Sequence, residues 1–329
     1  MKESSIVSSI LAPDALVLIL RKKYNLSNLA ICKVLRTGIN HSYLVADGDL
    51  QFVFRIYSYG WRSEMEIKEE LRFLNILKEN TIMVSYPSSD SSGNYIQRII
   101  APEGERFAVL FSFAKGQKVR SLSEDHCCSV GILLSKLHSV SVGYSLKRVN
   151  YNVKVLTEDP YRYATEHYSE SLNEMQFVKK AGAHVVDVFG QANINQLRHG
   201  AVHLDIWYDN FNIDEKAITL FDFDFCGNGW LLLDAAYFAM QLFHTEPDKN
   251  LFKVKLERFF AGYESCAPIS DEERKLLPLA GFAVWIFYLG VQSRRFDDWS
   301  NIFLTQNYLK HYIGMVKSWL DYNEIHIEA

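Results

Sequence analysis

The residues able to do chemistry are concentrated in one stretch, Arg198 to Ala236. His203-x-Asp205 is followed by Asn210, five positions after the aspartate, and then by Asp222-Phe223-Asp224 at the end of an apolar run. A carboxylate, a neutral oxygen ligand and a second carboxylate in that order are the parts that phosphoryl transfer needs. One carboxylate takes the proton of an attacking hydroxyl, while the asparagine and the other aspartate hold magnesium on nucleotide phosphates. The Asp205–Asn210 spacing with an Asp-Phe pair downstream is that of a kinase catalytic loop. Ile218 to Phe225 is apolar and rich in β-branched and aromatic residues, so it reads as a strand with Asp222 and Asp224 on one face at its end. Carboxylates among three phenylalanines are costly unless they meet a metal or strong donors. The alternative is a pair of turn aspartates after a short strand.

Elements able to position these groups can be read on both sides. Pro13 to Tyr24 reads as a short helix, with Asp14 in its first turn and basic residues in its last. Ile31 to Leu35, Ser42 to Ala46 and Gln51 to Tyr57 read as strands of an antiparallel meander, separated by the turn residues Thr37-Gly38 with Asn40 and by Asp47-Gly48-Asp49. Glu64 to Lys78 carries Ile67, Leu71, Leu74 and Leu77 at helical spacing. Strands near Tyr95 to Ile100 and Phe107 to Phe113 flank the turn Pro102-Glu103-Gly104. Ala114 to Gln117 is a short linker, and the texture beyond it is helical, starting with Ser121 to Val140, where Ser121 and Glu124 have capping-box spacing. Gly143 to Asn195 reads as helical in its second half.

Composition sets outer limits. At 329 residues, 48% hydrophobic and 22% charged, the chain is long enough for two lobes and apolar enough for a sizeable core. A net charge of -4 gives no support to nucleic-acid binding. Five cysteines without paired metal spacing read as reduced thiols of a cytoplasmic chain. Pro13 and Asp14 interrupt the apolar stretch Ile6 to Leu20, and no export signal is expected. Leu276 to Val291, with Pro278 and two glycines, reads as a buried helix rather than a membrane span.

With these residues in view, the chain resembles the aminoglycoside phosphotransferase and choline kinase superfamily, nearest to its homoserine kinase type II and stress response kinase A branches. The resemblance implies an α+β, bilobal protein-kinase-like fold: a small antiparallel-sheet N-lobe with one main helix over 1–113, and a larger, mostly helical C-lobe over 114–329. Gly38-x-Asn40-x-x-Tyr43 resembles the turn over the nucleotide, and Phe52-Val53-Phe54-Arg55 the strand with the basic phosphate-binding residue. Glu70 stands where the family's helix pairs that base, Leu110-Phe111-Ser112-Phe113 resembles the hinge, and Leu134-x-x-Leu137-His138 the first large-lobe helix. The resemblance assigns the base to Asp205, a loop-fixing role to His203, metal binding to Asn210 and Asp222, and a bracing role to Asp234. It implies ATP, with GTP as an alternative, and Mg2+. A small-molecule hydroxyl acceptor and a monomer or homodimer are also expected, without nucleic acid or membrane.

Two departures stand out. Leu204 occupies the usual glycine position between His203 and Asp205, and Arg55 replaces the usual lysine. Neither a GxGxxG nor a GxxxxGK[ST] loop occurs. Acid beside aromatic at Trp207-Tyr208-Asp209 and at Asp297-Asp298-Trp299 suits a cationic amino alcohol or aminosugar acceptor. The rival expectations are a Ser/Thr protein kinase of the stress-response type, a nucleotide-binding pseudokinase, and a metal-dependent hydrolase ligated by His203, Asp205, Asp222 and Asp224.

Overall fold

The computed structural model describes residues 6–215, 217–296, 298 and 301–327, which form two compact units. The first spans Met1–Lys115 with Thr219–Phe221. It opens with α1 (Pro13–Tyr24), whose first-turn Asp14 and last-turn Arg21, Lys22 and Lys23 complement the helix dipole. β1 (Ile31–Arg36), β2 (His41–Asp47) and β3 (Leu50–Ile56) form the expected meander. α2 (Glu64–Glu79) starts at a capping box between Ser63 and Glu66. β4 (Pro87–Ser88), β5 (Ile96–Ala101) and β6 (Gly104–Ser112) complete an antiparallel sheet of order β1-β2-β3-β6-β4, with β5 on β6. Leu220 joins this unit by exchanging backbone hydrogen bonds with Met83 and Ser85.

The two-residue period of β3 decides what each face does. Phe54 and Ile56 enter a core with Leu16 and Leu20 of α1, Tyr43, Val45 and Leu110. Fully burying each such side chain contributes roughly 1.5–3 kcal/mol. Arg55 takes the opposite face, where it meets Glu70 of α2.

The second unit spans Gly116–Ile218 and Asp222–Ala329. Its elements are α3 (Glu124–Ser141), β7 (Asn150–Tyr151), a π-helical turn (Lys154–Glu158), α4 (Asp159–Thr165), α5 (Asn173–Gly190), β8 (His199–Val202), β9 (Phe211–Asp214), the first half of β10 (Ala217–Leu220), β11 (Gly227–Trp230), α6 (Leu232–Thr245), α7 (Lys249–Glu264), α8 (Asp271–Ser293) and α9 (Gln306–Tyr322). Helix begins at Lys154, earlier than the sequence reading of this region. α3 is capped by Ser123 with His126, not by Ser121. Burial decides between the two serines: Leu122 is buried just before the cap and Cys127 at the fourth helical position, the spacing of a hydrophobic staple.

α3 and α7 pack backbone to backbone. A Cβ on Gly131 would lie 2.1 Å from the Phe259 carbonyl oxygen, and one on Gly262 equally close to that of Cys128. Only glycine permits this approach. α8 is long and apolar enough to cross a membrane, but most of it is buried inside the unit, as a core helix is. All five cysteines are free thiols.

On α6, His244 lies against Trp285, ring centroids 4.5 Å apart, and its buried Nε2 has no hydrogen-bond partner among the described residues. Burial, then the charges of Lys249 and His311, lower its pKa from 6.5 to about 4. The unfolded chain therefore binds this proton first, so the contribution to stability is complete above pH 6.5 and declines as pH falls towards 4. Urea unfolding at pH 7 and pH 5 should show the wild type losing on the order of 2 kcal/mol more than His244→Phe. Equal losses would remove His244 from the account.

Candidate active site

The site of the second unit is built around a buried carboxylate. β8 runs antiparallel to β11, with Val202 opposite Gly227, and delivers His203-Leu204-Asp205 beyond its end. α6 follows β11 and presents Asp234 in its first turn. Asp234 accepts the backbone N–H of His203 (Oδ2, 2.9 Å) and of Leu204 (Oδ1, 2.6 Å). Those bonds hold Leu204 in the left-handed region at φ 69°, which normally costs a branched residue about 1–2 kcal/mol. Leu204 is nevertheless fully buried, so the turn accepts leucine by using its side chain as core.

Asp234 has a partner behind it. His138 of α3 places Nε2 3.1 Å from Asp234 Oδ2 and Nδ1 2.6 Å from the Tyr263 hydroxyl of α7. Arg198 donates to that hydroxyl at 3.2 Å and forks onto Glu273, with Nε–Oε1 at 2.9 Å and Nη2–Oε2 at 2.8 Å. Glu273 also closes the capping box of α8. One direction of donation satisfies the chain, from Arg198 to the Tyr263 oxygen, from its O–H to His138 Nδ1, and from Nε2–H to Asp234. The close packing of α3 on α7 brings His138 to Tyr263. In the sequence His138 shows only as part of the first large-lobe helix, and nothing there marks Arg198, Tyr263 or Glu273 as its partners.

Asp205 follows directly. Its backbone N–H donates to His203 Nδ1 at 3.1 Å, and the buried His203 ring packs edge-on to Phe223 at 4.4 Å. Asn210 sits in a 3₁₀ turn (Tyr208–Asn210) and donates through Nδ2 to the Asp205 carbonyl (3.0 Å) and to Oδ2 (2.6 Å). Burial and then the charge of Asp222 push the Asp205 carboxyl up to about 7, against hydrogen bonds from Tyr288, Asn210 and Tyr237 that lower it. Two carboxylates that repel, beside an amide whose donors are committed to Asp205, leave oxygen donors of the kind a hard divalent cation takes.

The segment around Asp222 differs from the strand expected over Ile218 to Phe225. β10 ends at Leu220, Asp222 adopts the left-handed conformation at φ 65°, and Phe223–Phe225 form a 3₁₀ turn. Arg148 donates to the Asp224 carbonyl and Tyr151 to that of Phe225 at 2.6 Å, which draws the segment out of a strand. Asp222 is consequently exposed and Asp224 buried, so the two do not share a face. Among the described residues, no group of three or more His, Cys, Asp or Glu side chains forms a metal cage. The hydrolase site of His203, Asp205, Asp222 and Asp224 is therefore not assembled.

The first unit brings together the other predicted residues. Arg55 and Glu70 form an ion pair, with Arg55 6% exposed and Glu70 fully buried, so Arg55 is not a water-facing edge cation. The Tyr57 hydroxyl donates to Glu70 Oε2 at 3.0 Å, and the Arg55 guanidinium lies 4.6 Å from the ring centroid of Phe111. Phe113 follows β6 and is half-buried. Asn40, in the β1–β2 turn with Gly38, accepts the Ser58 N–H at 3.3 Å. A Cβ on Gly38 would meet nothing within 4 Å.

The acids proposed for a cationic acceptor are already paired: Asp209 with Lys118, and Asp298 with Arg295. Asp297 and Trp299 lie outside the described residues.

Residues 32–269 match the family described as the phosphotransferase enzyme family. The chain belongs to that family. This phosphotransferase is thereby an enzyme that moves a phosphoryl group onto a hydroxyl of a small molecule. It is similar to an uncharacterized protein of Synechocystis sp., 29% identical over 90% of this chain and 82% of the relative. It is also similar to the homoserine kinase of Polaromonas naphthalenivorans, 26% identical over 80% of this chain and 82% of that protein. Among solved structures, an amicoumacin kinase in complex with AMP-PNP and Ca2+ shares its fold with a TM-score of 0.76 at 18% identity, covering 94% of this chain and 93% of that one. A microcompartment-associated aminopropanol kinase does so with a TM-score of 0.75 at 20% identity, covering 96% and 100%. The phosphotransferase thus has the bilobal kinase-like fold expected from its sequence.

Leu204→Gly separates backbone strain from burial in the phosphotransferase. Glycine relieves about 1–2 kcal/mol of left-handed strain, but losing a fully buried leucine costs about 2–5 kcal/mol. Urea unfolding should find the variant less stable. A more stable variant would show that strain, not packing, dominates this turn.

Proposed function

We propose that the phosphotransferase transfers the γ-phosphoryl group of ATP in line to a hydroxyl of a small amine-bearing alcohol. Asp205 is the base, and Asn210 and Asp222 hold Mg2+. The observation that carries this reading is the Asp205 carboxylate held by Asn210 at 2.6 Å on a loop whose amides are fixed by Asp234. Asp205 orients the acceptor hydroxyl and receives its proton. The transition state is loose, so positioning and charge neutralisation contribute more than the base itself. Bound at Asn210 and Asp222, the cation would supply neutralisation of phosphate charge. Arg55, kept in place by Glu70, Tyr57 and Phe111, is the cation of the first unit suited to nucleotide phosphate. Gly38, Asn40, Phe111 and Phe113 are the further nucleotide contacts of this reading, and GTP is its alternative donor.

The acceptor class rests on the names of similar proteins, which act on homoserine, aminopropanol and amicoumacin. Each name denotes a hydroxyl compound carrying an amine. Because Asp209 and Asp298 are already paired with cations, an ammonium group must compete with Lys118 or Arg295 to use them. A zwitterionic acceptor such as homoserine could exchange with either pair without leaving a net charge behind.

Turnover is measured as ADP formed from MgATP with homoserine, 1-amino-2-propanol or an aminoglycoside as acceptor. At least one should stimulate it, and Asp205→Ala should lower that turnover by about 100-fold or more. The thermal stabilisation by MgATP should persist in Asp205→Ala and weaken in Asp222→Ala. Near wild-type turnover in Asp205→Ala would exclude it as the base.

A further inference from the structure

α1 is apolar on more sides than its own unit covers. Ala15 to Leu20 is an unbroken apolar run, of which Leu16, Val17 and Leu20 are buried. Leu18 is 63% exposed, and Ala15 and Ile19 also face water. A helix that is apolar all round is normally covered on every side. The chain leading into α1 continues this surface, with Val7 and Ile10 exposed. That lead-in is tied down by side chains of the sheet. The Ser9 hydroxyl donates to Glu103 at 2.7 Å, the buried Arg106 donates to the Ser9 carbonyl at 2.9 Å, and the Leu11 carbonyl accepts the Tyr43 hydroxyl at 3.0 Å. Apolar side chains held out to water on a fixed backbone mark an interaction surface.

The charges on this face indicate what covers it. Asp14, Ala15, Leu18 and Lys22 recur at three- and four-residue spacing, so they form one stripe, and all four are exposed. Of the three last-turn bases, Arg21 donates to the Ala30 carbonyl at 2.6 Å and Lys23 lies 3.8 Å from Asp90, both within the unit. Lys22 and Asp14 form no ion pair among the described residues. They stand at equal distance on either side of Leu18, the acid before it and the base after it. A two-fold axis through Leu18 therefore sets Asp14 of one copy against Lys22 of the other, and does so twice. We propose that α1 is the docking surface for a second copy of this chain, the two helices packing antiparallel about Leu18 in a symmetric dimer. Antiparallel packing also opposes the two helix dipoles favourably. A helix of 12 residues spans about 18 Å, so the pair alone covers less than the roughly 800 Å² per partner of a standard interface. Val7 and Ile10 extend it, and the dimer has a Kd on the order of micromolar.

Sedimentation velocity of the full chain over about 1–100 μM tests this, with circular dichroism to confirm that each variant is folded. The wild type should show a monomer–dimer equilibrium. Leu18→Glu, which brings two carboxylates together at the axis, should raise the Kd about 100-fold or more. Asp14→Lys and Lys22→Asp should each raise it about tenfold, because each places like charges opposite one another twice. The double variant Asp14→Lys with Lys22→Asp exchanges the partners and should return the Kd to within about threefold of wild type. If the two charges serve only the dipole of their own helix, the double variant is no tighter than the single ones, and that result would overturn the proposal. A dimer indifferent to Leu18→Glu would do the same. So would a wild type that stays monomeric at about 100 μM, which would leave this face to a different partner.

Discussion

The Asp234 carboxylate, accepting two consecutive backbone amides while buried from water, is the constraint on which the rest of the site depends. Removing a carboxylate from water costs several kcal/mol even after relaxation. Hydrogen bonds to a charged acceptor return about 1.5–3 kcal/mol each, and Asp234 receives them from His203, Leu204 and His138. With all three present the anion is tolerated. With one missing, the strain of Leu204 and the direction of Asp205 are no longer determined. The chain of donors reaching back through Tyr263 to Arg198 and Glu273 extends the same constraint to α3, α7 and α8. The loop is thereby set by the packing of four helices, not by its own sequence.

Around Asp205 the same economy operates with opposite sign. Burial and the neighbouring Asp222 disfavour charge on the carboxyl, whereas Asn210, Tyr237 and Tyr288 favour it. The balance puts the carboxyl at about 7. A base suited to taking a proton at ordinary pH needs this kind of balance. The first unit shows a parallel arrangement, in which Arg55 is kept charged in a buried place by Glu70, Tyr57 and the face of Phe111.

Much of this was legible in the chain because it is local. The meander of β1 to β3, α1, and α2 with its Glu70 follow from period, turn residues and charge placement, and the strand and helix limits agree within about one or two residues. Asp205 and Asn210 were legible because their contact is made within five residues. What stayed hidden depends on partners distant in sequence. Nothing near Asp222 announces that Arg148 and Tyr151 capture the carbonyls of Asp224 and Phe225 and turn a strand-like segment into a left-handed bend. Ser123 displaced Ser121 as a cap because Leu122 needed burial, a tertiary demand. Tyr237 could have been found from its three-residue spacing to Asp234. Tyr288, carried by a helix more than fifty residues later, could not.

The most direct measurement is the rate of the chemical step itself, by rapid-quench single turnover of γ-labelled ATP in Asp205→Asn against wild type. The substitution keeps the shape and the contact with Asn210 but removes the charge that would accept the acceptor's proton. The account predicts transfer slowed by about 100-fold or more at unchanged nucleotide affinity. Transfer at the wild-type rate would contradict it.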